Sequence, residues 1–69
     1  MAYYLVNRQA QPNGDHEVHQ TTCGYLPALG NQDHLGYFST CQEAVRAARN
    51  RGYRQVNGCY WCSYACHTQ

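Results

Sequence analysis

The 69-residue sequence has no lysine, and charged side chains make up only 13% of it, leaving a formal net charge of +1. So weak an overall field argues against a partner held by charge alone. No stretch approaches the ~20 apolar residues that a membrane span requires. The start, Met1-Ala2-Tyr3-Tyr4-Leu5-Val6-Asn7-Arg8, lacks a basic segment followed by a long apolar run, so no secretory leader is expected. Internal repeats, linkers and low-complexity tracts are also missing, which leaves one domain over residues 1–69.

A chain this short buries too small a share of its surface to be stable on apolar packing alone, so a covalent or metal staple is expected. Five cysteines are present, and the choice lies between disulfides and a metal ion. Without a leader the expected setting is cytoplasmic, where thiols stay reduced and paired cysteines more often bind metal. The odd number points the same way, because five cysteines cannot all pair within one molecule.

The spacing of these cysteines locates the candidate site. Cys59 and Cys62 form a C-x2-C pair introduced by Asn57-Gly58, read here as a tight turn, and such a pair is half of a zinc site. The other half is expected upstream in His19-Gln20-Thr21-Thr22-Cys23. The predicted ligand set is therefore His19, Cys23, Cys59 and Cys62 around one Zn2+. Cys66 or His67 is the rival fourth ligand, since Cys62 and Cys66 would share a helical face. His16 is the rival imidazole but falls on the opposite side of its predicted strand. Cys41 is expected to be a small core residue. A redox C-x-x-C is the competing chemistry, although a thioredoxin-like motif needs a longer helix after it than the remaining residues allow.

Local patterns place these residues on a small α+β fold. Tyr3 to Val6 are strand formers, Pro12-Asn13-Gly14-Asp15 is a turn, and His16-Glu17-Val18-His19 alternates, so residues 3–19 read as a hairpin with His19 at its outgoing end. Leu35-Gly36-Tyr37-Phe38 reads as a brief third strand. Ser39 or Thr40 then caps a helix, because Thr40-Cys41-Gln42-Glu43 fits a capping box. Cys41, Ala44, Val45 and Ala48 make its apolar face, and Gly52 ends it in a left-handed cap. Tyr53-Arg54-Gln55-Val56 is expected to run extended into the C-x2-C.

The order His19-x3-Cys23-Gly24-Tyr25-Leu26, Phe38-Ser39, Glu43-Ala44, Gly52-Tyr53-Arg54, Cys59-x2-Cys62 resembles the small zinc module of Ada-type DNA-repair regulators. The resemblance covers residues 18–62 and implies a small α+β zinc fold with the same four ligands. It departs at the first ligand, where His19 stands in place of the methyl-accepting cysteine, so methyl transfer is not expected. The link 55–58 is longer than in that family, and the first strand and Cys66-His67 have no counterpart.

Functionally, a non-enzymatic binding module with a structural zinc is expected, because nothing in the sequence places Glu17 or Glu43 at the metal as a general base. Its partner would be a macromolecule, protein or nucleic acid. Four of the five arginines, Arg46, Arg49, Arg51 and Arg54, cluster near Tyr53, Tyr60 and Trp61, which makes nucleic-acid binding the first alternative. A thiol redox protein using Cys59 and Cys62 is the second.

Overall fold

The computed structural model describes residues 1–68; Gln69 lies outside the described residues. The fold is small α+β, a four-stranded mixed sheet covered on one face by one helix. Strand β1 (Ala2–Asn7) pairs antiparallel with β2 (His16–Gln20), as the hairpin pattern predicted, and Gly14 makes the intervening turn possible with its φ of 92°. Strand β3 (Gln32–Phe38) starts earlier than expected and lies antiparallel to the other edge of β1. Between Tyr4 and Leu5 the register slips past Leu35, and Gly36 takes up this bulge with a φ of 132°.

Helix α1 (Cys41–Asn50) begins as its sequence dictates. The Thr40 hydroxyl accepts from the Glu43 amide, while Glu43 Oε1 accepts from the Thr40 and Ser39 amides at 3.2 and 2.9 Å. It ends in a Schellman pattern, with the Gly52 amide donating to the Arg49 carbonyl and the Tyr53 amide to that of Ala48. The φ of 106° at Gly52 is the left-handed cap that this pattern demands. Below the cap, Arg51 and the Tyr53 hydroxyl both hold the Asp33 carboxylate of β3, at 2.7 and 2.9 Å.

After α1 the chain crosses to the far edge and adds β4 (Val56–Gly58) parallel to β2, giving the order β3-β1-β2-β4. Asn57-Gly58 is thus not the expected tight turn but the end of a strand. Glycine is needed there for space: a Cβ at Gly58 would lie 2.5 Å from the Ser63 carbonyl oxygen and 2.6 Å from Cys66 Cβ. The buried Asn57 side chain holds the tail, accepting from the Thr68 amide at 2.9 Å.

The two faces of the sheet carry different cargo because strand side chains alternate. Tyr4, Val6 and Val18 pack with Cys41, Ala44 and Ala48 under the helix. Leu5 and His19, paired across β1 and β2, are buried on the opposite face. Cys41 is buried as expected, but not as a free thiol: it forms a disulfide with Cys66, whose Cα is 6.2 Å away. The helix start is thereby clipped to the short 3-10 turn Tyr64–Cys66. The expectation that every cysteine stays reduced is corrected for this pair, and Cys66 is removed from the rival ligands.

Candidate metal centre

Four side chains meet on the face of the sheet away from the helix. His19 is the penultimate residue of β2, buried to 2% exposure. Cys23 follows in a turn closed by its own amide, which donates to the Gln20 carbonyl at 3.0 Å. The parallel pairing of β2 with β4 sets Gly58 beside Val18 and continues one step, with the Cys59 amide donating to the Val18 carbonyl at 2.9 Å. That register alone brings the C-x2-C alongside His19. The chain then turns away, the Cys59 carbonyl accepting from the Ser63 amide. The Gln20 amide donates to a sulfur rather than a carbonyl, reaching Cys62 Sγ at 3.2 Å.

The donor atoms of His19, Cys23, Cys59 and Cys62 all lie within 4.8 Å of one another. The Cys23 and Cys59 sulfurs are 3.9 Å apart, and Cys62 Sγ is 3.9 Å from His19 Nδ1. Around a tetrahedral ion with metal–sulfur bonds of about 2.3 Å, sulfurs stand roughly 3.8 Å apart and sulfur to nitrogen roughly 3.6 Å. The two 3.9 Å separations lie within a few tenths of an ångström of those values. One imidazole and three thiols also suit a borderline-soft divalent ion.

The surroundings prepare each donor. Burial pushes the His19 pKa below its ordinary 6.5, against the opposing pull of Glu17, so the ring is neutral at pH 7. Glu17 Oε1 stands 3.3 Å from His19 Nε2, and a carboxylate there favours the tautomer that keeps its proton on Nε2, leaving the Nδ1 lone pair facing the sulfurs. Burial also pushes the Cys62 thiol up to about 12, with the other two thiols adding to the rise and the Gln20 amide and Ser63 hydroxyl opposing it. A divalent ion at this place would supply the charge that favours the Cys62 thiolate. The Tyr25 amide points at Cys23 Sγ from 3.4 Å, a further donor to a sulfur that would carry charge.

The rivals are occupied elsewhere. His16 Nδ1 and His67 Nδ1 face the carbonyl oxygens of Asn7 and Gly58, at 2.8 and 3.0 Å, and since carbonyls only accept, both nitrogens carry their proton. Sequence reasoning missed Glu17 as the partner of His19. The signal was available, because residues two apart on one strand share a face. Cys59 and Cys62 are both free thiols, followed by a 3-10 turn rather than the helix of a redox motif.

The arginine cluster, contiguous in sequence, is divided by the fold. Arg51 is paired with Asp33, Arg54 lines a hollow with His16 and Tyr53, and Arg46 and Arg49 line a separate groove. Four exposed aromatics instead gather on the cysteine loops. Tyr25 stacks on Trp61 at 5.2 Å, and Tyr60 meets Trp61 and Tyr64 edge-on. Among the described residues, no helix is long and apolar enough to cross a membrane.

The class defined by fold and site is a small α+β domain in which one histidine and three cysteines form a group that could hold a metal ion. Comparison with known families, characterised proteins and solved structures yields no match to this chain.

Proposed function

We propose that this chain is a zinc-stapled, non-enzymatic binding module, and that the zinc is structural. The observation that carries the reading is the convergence of His19, Cys23, Cys59 and Cys62 from separated segments, with donor atoms within 4.8 Å of one another. Such a set closes the coordination shell and contributes folding free energy to a chain that is short of core. Neither glutamate stands ready as a general base at the cluster: Glu17 is engaged by His19 and Glu43 is spent in the helix cap. The resemblance of the His19, Cys23, Cys59, Cys62 order to Ada-type modules, with His19 in the place of the methyl acceptor, favours zinc.

A binding role is supported by the exposed rings of Tyr25, Tyr60, Trp61 and Tyr64, which gather into one aromatic patch. The nucleic-acid alternative has less support, because the arginines do not form one basic face. A cytoplasmic setting fits three thiols kept free for metal but not the Cys41–Cys66 disulfide, which persists in oxidising surroundings.

Native mass spectrometry before and after a strong chelator, with circular dichroism of both samples, tests the reading. One bound zinc whose removal unfolds the chain is expected. A folded protein that takes up no zinc, or one with Cys59 and Cys62 oxidised to each other, overturns it.

A further inference from the structure

The groove of about 340 Å³ between α1, β4 and the tail is separate from the metal centre and lies on the helix side of the sheet. Its apolar lining comes from Val45, Val56, Ala65 and the disulfide-bonded Cys66. Arg46 and Arg49, one helical turn apart, stand along it and are both exposed. Among the described residues neither guanidinium has a hydrogen-bond or ion-pair partner.

All four acidic side chains of the chain are engaged elsewhere. Asp15 is bound by Asn13, Glu17 faces His19, Asp33 holds Arg51 and Tyr53, and Glu43 caps α1. A pair of cations with no acidic partner among the described residues, beside an apolar floor, is complementary to a ligand that is anionic at one edge and aliphatic at the other. Arginine forks match carboxylates in two-point geometry, and the valine and disulfide floor has nothing to offer a polyanion that is polar on every side.

We propose that this groove binds a partner peptide that sets a carboxylate beside an aliphatic side chain, the carboxylate held by Arg46 and Arg49 and the aliphatic group seated on Val45 and Val56. This deepens the binding-module reading, on which it rests, by naming the face and the chemistry of the partner. Its volume of about 340 Å³ falls at the lower end of the range of small-ligand pockets, room for one side chain and its carboxylate neighbour.

The test uses the zinc-loaded, disulfide-intact chain and fluorescence anisotropy with two labelled probes, Leu-Glu-Leu-Glu-Leu and its amide counterpart Leu-Gln-Leu-Gln-Leu. A labelled oligothymidylate is run in parallel. The acidic peptide is expected to bind, the amide peptide and the oligonucleotide to bind at least about tenfold more weakly, and an Arg46→Gln/Arg49→Gln variant to lose the acidic peptide by at least about tenfold at unchanged melting temperature. Backbone amide shifts in a nuclear magnetic resonance titration should concentrate at Val45, Val56 and Ala65. Equal binding of both peptides, no effect of the double variant, stronger binding of the oligonucleotide, or no binding of the acidic peptide at millimolar concentration each overturns the proposal. Zinc content measured on the same sample separates the two readings. Zinc present without peptide binding sinks the groove alone; peptide binding by a folded, zinc-free chain sinks the metal reading alone.

Discussion

Reducing the Cys41–Cys66 disulfide should cost this domain a large part of its stability while leaving the metal in place. The bridge spans 25 residues, from the first residue of α1 to the 3-10 turn of the tail. Closing a loop of that length in the unfolded chain removes entropy equivalent to about 3.5 kcal/mol. At about 2.1 cal/mol/K of unfolding entropy per residue, 69 residues give ~0.14 kcal/mol/K, so the melting temperature should fall by about 24 °C. The assay is thermal unfolding of zinc-loaded protein, oxidised or treated with a non-chelating phosphine, followed by far-ultraviolet circular dichroism. A Cys41→Ala/Cys66→Ala variant should fall at least as far, because it also loses buried sulfur under the helix. A shift below about 5 °C, or five titratable thiols in the untreated chain after metal removal, would refute the reasoning.

Other consequences are equally direct. Gly58→Ala should destabilise the fold by about 1–3 kcal/mol, read as a lower denaturant midpoint, because the new methyl meets the Ser63 carbonyl and Cys66; an unchanged midpoint would contradict the close packing of β4 on the tail. Glu17→Gln should weaken zinc binding by about 10–100-fold in a chelator competition, since the carboxylate that orients His19 is lost. Equal affinities would show that Nδ1 needs no such help. Zinc affinity should rise steeply with pH: ordinary thiols keep their protons near pH 7, so close to three protons leave on binding and affinity changes about a thousandfold per pH unit. Burial raises the Cys62 pKa, so this thiol must still be deprotonated by the metal above pH 9, whereas His19, lowered by burial, gives up no proton at pH 7. Calorimetry in buffers of different ionisation enthalpy counts the protons, and a count of one or fewer would be incompatible with a three-thiolate site.

Much of this was legible in the chain because it rests on short-range chemistry. The capping box at Thr40 and Glu43, the left-handed Gly52, the Gly14 turn and the alternation of β2 are decided by residues within a few positions of one another. The group that could hold a metal ion was legible by arithmetic alone: a C-x2-C needs partners, and His19 and Cys23 were the pair at a usable spacing. Long-range pairing was not legible. Nothing local says that β4 joins β2 in parallel, yet that register carries Cys59 to His19 and turns Asn57-Gly58 from a turn into a strand end. The Cys41–Cys66 bridge likewise depends on where the helix start and the tail meet, which is a property of the packed sheet and helix rather than of either segment.

The sequence by itself therefore determined the class of fold, the helix with both its ends, and the four residues that could hold a metal, because propensity, capping and ligand chemistry are carried by neighbouring side chains. The tertiary structure alone decided the disulfide, the Glu17 contact to His19, and the scattering of four adjacent arginines among a salt bridge and two separate hollows. These follow from sheet order and from which face of a strand or helix each residue occupies, quantities that are set only when the whole chain packs.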